Sequence, residues 1–268
     1  MHLYVLDSSV AKFTSRPTTH VSLALKSGKR LKYSPLGQKQ NNREPKIISI
    51  QPGAGEEWKA ASVVEMLQNG AVGIIPTDTL PAIVADLQNR DAVLRLYAVK
   101  EMSSKKPLSI LCRNFQDISY YTAGFPVSNE PGSRNWFNIL RRVLPGPFTL
   151  ILPASKNLPS QMVDFMKGKT IHRKSVGVRL PDDDVCQAVL QGMDRPLLCT
   201  SVHVDEHLDD TTEVPDVGNM LQSYGGKGID FIIDVGPRIA TVSTVVDMTT
   251  PTPEIVRVGR GDPSIFEI

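Results

Sequence analysis

The stretch Ala71-Val72-Gly73-Ile74-Ile75-Pro76-Thr77-Asp78-Thr79-Leu80 decides the fold. Its first five residues form a continuous apolar run, the pattern of a strand covered on both faces. Pro76 closes the run, and two hydroxyls and a carboxylate follow at once. Ligands in open α/β sheets bind just beyond the carboxyl ends of the strands. Residues Pro76 to Thr79 are therefore expected to form one wall of a small-molecule site.

The chain on either side alternates helix and strand. Before the run, Ile47 to Ile50 is a short strand. Glu56 to Asn69 is a helix with Ala60, Val63, Val64 and Leu67 on one face, acidic residues in its first turn and Gly70 as its stop. After the run come a strand at Ile83 to Leu87 and a helix at Asp91 to Lys100. A buried strand follows at Leu108 to Cys112. A helix at Asn135 to Leu144 is stopped by Pro145-Gly146-Pro147, and Phe148 to Leu152 is the next strand. Ser175 to Leu180 alternates as a strand. Pro181-Asp182-Asp183-Asp184 then opens a helix through Leu190, where the aspartates serve as caps and first-turn charge rather than metal ligands. Leu197 to Ser201, Phe231 to Val235, Val242 to Met248 and Ile255 to Val258 complete the strands, and Asp205 to Pro215 is an acidic loop. Strands interleaved with helices predict an α/β domain over residues 46–268, with a mixed, largely parallel sheet and flanking helices. No internal repeat or second core is visible.

Composition bounds the rest. The chain has 268 residues, 41% hydrophobic, and no apolar run near the roughly 20 residues needed to span a bilayer; a soluble protein with no membrane partner is expected. The net charge of +2 excludes little. Cys112, Cys186 and Cys199 are scattered and odd in number, which argues for a reducing compartment and against a disulfide framework or a C-x-x-C zinc site. From Ser8 to Arg43 there is no acidic residue, while Lys12, Arg16, Lys26, Lys29, Arg30, Lys32, Lys39 and Arg43 fall among many Ser and Thr. Residues 1–45 read either as an organellar transit peptide, chloroplast or mitochondrial, or as a disordered basic arm able to touch nucleic acid. Without a transit peptide the expected location is cytoplasmic.

Several motifs fail on inspection. Gly168-Lys169-Thr170 resembles the end of a P-loop, but Val163 stands where the first glycine is required. G-x-G-x-x-G after a strand, G-x-S-x-G and H-E-x-x-H are all absent. His203, Asp205, Glu206 and His207 read as a solvated loop. What remains is a series of polar residues at strand ends: Thr77-Asp78-Thr79, Lys100, Lys105-Lys106-Pro107-Leu108, Pro145-Gly146-Pro147-Phe148-Thr149, Val176-Gly177-Val178-Arg179-Leu180-Pro181, Ser201-Val202-His203, Ser243-Thr244-Val245-Val246-Asp247 and Arg257. Singly these are turns, caps and surface charges; an ordinary helix-end lysine accounts for Lys100 better than a site role does, and a surface ion pair accounts for Arg179 equally well.

In this order they resemble the YrdC-like family, which contains threonylcarbamoyl-AMP synthases, from about Glu56 to Gly261. The resemblance implies a twisted mixed sheet, of the YrdC/RibB-like type, with a broad, positively lined concave cavity. It implies a nucleotidyltransferase that joins L-threonine, bicarbonate and ATP, usually with Mg²⁺, into threonylcarbamoyl-AMP and pyrophosphate for the t6A modification of tRNA position 37. A carbamate carboxylate attacks the α-phosphate, so two anions must be gathered by cations and hydroxyl donors. On this resemblance Thr79 holds the threonine and Arg179 pairs with its carboxylate or a phosphate. Lys100 and Ser201 are the candidate catalytic residues, and Lys106 faces the triphosphate. Thr149, Ser201, His203, Ser243 and Thr244 line the nucleotide, and Arg257 covers it. Four positions depart from the synthase pattern. Met102 stands for an Arg, His203 for an Asn, Pro81-Ala82 for Tyr-Gly, and Leu111 for a His. These departures resemble the YciO branch, for which a non-catalytic role in binding nucleotide or double-stranded RNA is the alternative expectation.

Overall fold

The computed structural model describes residues 44–102, 108–127, 134–159, 164–166, 169–171, 174–202, 216–238 and 241–267, all within one compact unit. The readings made for the basic arm, Lys106, Gly168 and the loop from His203 to Pro215 lie outside the described residues.

Twelve strands are present among the described residues: β1 (Lys46–Ser49), β2 (Val72–Ile75), β3 (Ala82–Asp86), β4 (Ser109–Leu111), β5 (Phe148–Pro153), β6 (Asp164–Met166), β7 (Lys169–Ile171), β8 (Ser175–Arg179), β9 (Leu197–Ser201), β10 (Phe231–Asp234), β11 (Thr244–Asp247) and β12 (Glu254–Arg257). Six α-helices join them: α1 (Ala60–Gln68), α2 (Arg90–Val99), α3 (Phe115–Tyr121), α4 (Trp136–Leu140), α5 (Asp184–Gly192) and α6 (Val217–Tyr224). Ten strands make one sheet in the order β1-β10-β2-β3-β9-β4-β8-β5-β11-β12, and β6 with β7 forms a separate ribbon.

The sheet is mixed, as expected, but it is not largely parallel. Four neighbouring pairs run parallel and five antiparallel. Two features account for this. The connection from β2 to β3 is the Pro76–Pro81 loop rather than a helix, so the two strands are antiparallel neighbours. Strand β9 comes late in the chain and inserts between β3 and β4, antiparallel to both. Alternation along a sequence does not reveal such an insertion.

The run that opens the fold behaves as its composition dictates. Every residue of β2 is buried. Gly73 sits there because a Cβ at that position would lie 2.5 Å from the ring of Phe231, its partner on β10. Gly70 ends α1 with φ +87°, a conformation that a residue with a side chain rarely adopts. Asn89 caps α2 by accepting from the Asp91 and Ala92 amides, and Asp183 caps α5 by accepting from Cys186.

Helices cover both faces of the sheet, but unequally. One core gathers α2, α3, α4 and α6 against β2–β5 and β8–β11. The other gathers α1 and α5 against β1, β2, β3, β4, β9 and β10. This second core takes nothing from β5, β8, β11 or β12. On that side those four strands present Thr149, Gly177, Arg179, Val245 and Arg257 to a cavity instead of a helix. Burying polar side chains beneath a helix without partners costs about 1–3 kcal/mol each, and among the described residues no helix covers this face.

Two helices are absent from the sequence reading. The inner face of α3 carries the buried Asp117, paired to Arg113 at 2.7 Å, and this breaks the apolar period. Helix α6 has a readable period at Val217, Met220 and Tyr224, capped by Asp216, but the acidic residues before it masked its start. The helix expected at Asn135 to Leu144 runs only from Trp136 to Leu140, and residues 141–143 form a turn.

Candidate anion-binding site

The Pro76–Thr79 loop is a rigid hydroxyl turn. The Thr77 Oγ donates to the Leu80 carbonyl at 2.8 Å and accepts from the Thr79 amide at 3.1 Å. Strand β8 ends beside it with Arg179, which is 5% exposed. Arg179 Nη2 donates to Thr79 Oγ1 at 2.6 Å, to Asp78 Oδ1 at 2.9 Å and to Thr77 Oγ1 at 3.3 Å. The other Asp78 oxygen accepts from the Asp182 amide at 3.1 Å. Arg238 ties the Thr77 carbonyl to the Asp183 carboxylate, and Arg260 donates to the Asp78 carbonyl. Burial pushes the Asp78 carboxyl above its ordinary range, and the adjacent Arg179 charge pulls it partly back.

Arg179 has more donors than this loop uses. Its Nε is buried and has no hydrogen-bond partner among the described residues. A guanidinium presents five N–H donors in a fixed fork, and a buried donor left unpaired costs about 1–3 kcal/mol. The same side chain lines a cavity of about 490 Å³ on the uncovered face of the sheet. An anion in that cavity would lie beside the Arg179 charge.

The rest of the cavity suits such a guest. Thr149 and Ser243 hold their hydroxyls 2.8 Å apart. Arg257 donates through Nε and Nη2 to the Ser243 carbonyl at 3.2 and 2.9 Å, and through Nη2 to the Ser243 hydroxyl at 3.2 Å. Burial, and then repulsion from Arg179, lower the Arg257 pKa, so the two guanidiniums feel one another's charge. An anion between them would relieve that repulsion. The floor is Gly177, over which the Ser109 hydroxyl lies: a Cβ on Gly177 would meet that oxygen at 2.3 Å. Ser201 lines one side and Asp247 another. The Cys199 thiol also lines the cavity, but burial pushes its pKa up to about 12, which leaves it unreactive.

The predicted residues divide as follows. Arg179 meets Thr79 directly, and Thr149, Ser201, Ser243 and Arg257 line the cavity with it. Lys100 is elsewhere: its amine donates to the Ser201 carbonyl at 2.7 Å and lies over the Tyr224 ring, and it does not line the cavity. Thr244 corrects its expectation. It is fully buried, donates to the Gly261 carbonyl at 2.5 Å and accepts from the Gly259 amide at 2.9 Å. Neighbouring strand residues point to opposite faces, so Ser243 and Thr244 cannot both line the nucleotide. Neither Met102 nor Leu111 lines the cavity, although Leu111 lies on the same face of the sheet as Arg179, its partner on β8. Leu111 is fully buried in the core beneath α1 and α5, and Met102 rests half-buried against the other core.

Ser109, Gly177, Arg238 and Arg260 escaped the sequence reading. The first two carried a signal, since a serine in an apolar strand and a glycine inside another both mark close approach. Among the described residues no group of three or more His, Cys, Asp or Glu could hold a metal ion. Mg²⁺ carried on nucleotide phosphates needs only one or two protein carboxylates, and Asp247 on the lining could supply one.

A mixed sheet with a buried, half-satisfied arginine, paired hydroxyls and a second arginine on its open face has the chemistry to receive a small anion. The family model for Sua5, YciO and YrdC proteins, described as "Telomere recombination", matches residues 65–259, and the chain belongs to this YrdC-like family. Escherichia coli YciO, itself described as uncharacterized, is 26% identical over 81% of this chain and 97% of its own length. The crystal structure of E. coli YciO matches with a TM-score of 0.67 at 24% identity over 83% of this chain and 99% of that one, a likeness of fold. The threonylcarbamoyl-AMP synthase of Pyrococcus abyssi is 26% identical over 76% of this chain and 55% of its own length. The structure of P. abyssi Sua5 complexed with L-threonine matches with a TM-score of 0.63 at 26% identity, covering 80% of this chain and 57% of that one. This chain thus spans little more than half of the Pyrococcus protein.

Proposed function

We propose that this protein binds a nucleotide together with a small carboxylate and performs, at a reduced level, the reaction named for its synthase relatives. In that reaction the carbamate formed from threonine and bicarbonate attacks the α-phosphate of ATP. The bond to the departing pyrophosphate breaks, and threonylcarbamoyl-AMP remains for transfer to tRNA. The observation that carries the reading is the buried Arg179, its Nε unpaired among the described residues, on the lining of a cavity shared with Arg257 and the Thr149–Ser243 hydroxyl pair. Charge gathered in advance around a phosphoryl group is the main contribution a protein makes to such transfers. The reduced level is argued from the segment after α2, which presents no arginine to the cavity: Met102 is packed against the core instead.

The test is turnover by purified protein with ATP, Mg²⁺, L-threonine and bicarbonate, followed by pyrophosphate release and by detection of threonylcarbamoyl-AMP. Slow, threonine-dependent release is expected. A second reading, a nucleotide or duplex-RNA binder without chemistry, is favoured by the packing of both Met102 and Leu111 into apolar cores, where neither offers the cavity a polar group. ATP binding without any threonine-dependent pyrophosphate would select it.

A further inference from the structure

The hydroxyl turn reaches Arg179 from a distance. It leaves the end of β2, and three strands, β3, β9 and β4, lie between β2 and β8 in the sheet. No ladder between β2 and β8 holds the turn against Arg179. Thr77, Asp78 and Thr79 are nonetheless all buried. Buried carbonyls need donors, yet among the described residues no backbone amide donates to those of Thr77 and Asp78. Two arginines do so instead. Arg238 Nη1 donates to the Thr77 carbonyl at 3.4 Å, and Arg260 Nη1 donates to the Asp78 carbonyl.

The two come from opposite sides of the turn. Arg238 follows β10, the neighbour of β2, while Arg260 follows β12, the edge of the sheet beyond β8. Each is itself anchored. Arg238 pairs with Asp183, whose carboxylate is 4% exposed and also caps α5 through the Cys186 amide. The Arg260 amide donates to the Val242 carbonyl at 2.9 Å. Just before it, Gly259 packs so closely that a Cβ would stand 2.3 Å from the same carbonyl oxygen. Neither arginine is on the described lining of the cavity that holds Arg179, so any effect on a guest must pass through the turn.

We propose that Arg238 and Arg260 are positioning residues of the anion site. Gripping the turn from both sides, they keep Thr77, Asp78 and Thr79 on one nitrogen of Arg179 and so fix the direction of its fork. A guanidinium recognises an anion by direction as well as by charge, and a binding group needs its rotamer locked by the groups behind it. The inference rests on the anion-site reading above and deepens it by naming what sets the geometry of that site.

The test measures pyrophosphate binding to the full chain by calorimetry and, in the same variants, the nitrogen NMR signals of the Arg179 guanidinium, assigned by their loss in Arg179→Lys. With its Nη2 pinned, Arg179 should show two distinct Nη signals in wild type. Arg260→Ala removes one grip. Arg238→Ala removes the other and is combined with Asp183→Asn, so that no buried carboxylate is stranded. Each should weaken pyrophosphate about fivefold or more and average the Nη signals, and Arg260→Lys, which keeps a donor for the Asp78 carbonyl, should restore at least half of both. Weaker pyrophosphate with the Nη signals still distinct would mean that the arginines act by charge alone, which overturns the inference while the anion site stands. Affinity within about twofold of wild type in both variants overturns it whatever the signals do, and so do averaged Nη signals in wild type. If wild type binds no pyrophosphate, the anion-site reading fails first, and the inference with it. Should the Arg238 variant fail to fold, Arg260→Ala and Arg260→Lys decide the question.

Discussion

Arg179 and Thr79, 100 residues apart in the chain, meet at 2.6 Å, and this bond fixes the end of β8 to the loop after β2. Asp78 shares the same Nη2, so the guanidinium is positioned by one carboxylate and two hydroxyls while its Nε has no partner among the described residues. Arg179→Lys keeps the charge but loses the fork and the Nε. We expect pyrophosphate binding to weaken at least tenfold, equivalent to about 1.4 kcal/mol. Arg179→Met should cost about 3–5 kcal/mol of stability, because it strands a buried carboxylate. Adding Asp78→Asn to it should recover part of that loss without restoring binding. Denaturant unfolding and calorimetry read the two effects separately.

Asp78 also makes a prediction about pH. Burial raises its carboxyl pKa above the ordinary 3.8, with Arg179 opposing. The folded protein therefore keeps this proton to a higher pH than the unfolded chain does. The stability contributed by the protonated group is complete below the ordinary value and is lost as the pH rises through the folded value. The stability of wild type minus that of Asp78→Asn, measured by denaturant unfolding from pH 3 to pH 7, should fall as the pH rises through that window. A difference that grows with pH would mean that attraction to Arg179 outweighs burial.

How much of this was legible in the sequence follows from the range of the forces involved. Strand β2, its buried character and the hydroxyl turn beyond it are written in consecutive residues, and they appear where the apolar run and Pro76 place them. The strands at β5, β8 and β9 were likewise readable. Strand pairing was not: nothing local says that β9 enters between β3 and β4 and reverses the local direction of the sheet. In the site, Arg179 was recognisable by motif, but its unpaired Nε depends on Thr77, Asp78 and Thr79 all meeting one nitrogen. Thr244 shows the opposite failure: the motif counted two adjacent hydroxyls, and strand alternation admits only one to the cavity.

Gly177 tests the cavity floor. A methyl there would stand 2.3 Å from the Ser109 hydroxyl, 3.2 Å from the Ser109 Cβ and 3.5 Å from a Thr149 methyl. The Ser109 hydroxyl must therefore rotate away or the strands must part. Gly177→Ala should lower stability by about 1–3 kcal/mol, the usual range for overfilling, and should weaken pyrophosphate binding. Pairing it with Ser109→Ala removes the 2.3 Å clash and should return more than half of the lost stability. If the two changes instead add independently in a double-mutant cycle, the contact is not what limits that position.

The segment where the family pattern breaks makes the last prediction. Helix α2 ends at Lys100, and Glu101 follows with φ 53°, the left-handed conformation. The Glu101 amide bonds back to the Ala98 carbonyl and the Met102 amide to the Tyr97 carbonyl, the two bonds of a Schellman cap, with Met102 as its apolar contact against the core. Met102 is thus held by the cap rather than aimed at the cavity. Glu101→Gly relieves the strain, at the entropic expense of a freer unfolded chain and of an exposed ion pair to Lys227. A net gain of up to about 1 kcal/mol is expected. Met102→Arg gives up the apolar contact and should lose about 1–2 kcal/mol, with pyrophosphate release unchanged because the cap points that side chain inward. A tenfold rise in threonine-dependent release would show instead that the arginine leaves the cap and reaches the phosphates, and that this one position limits the chemistry.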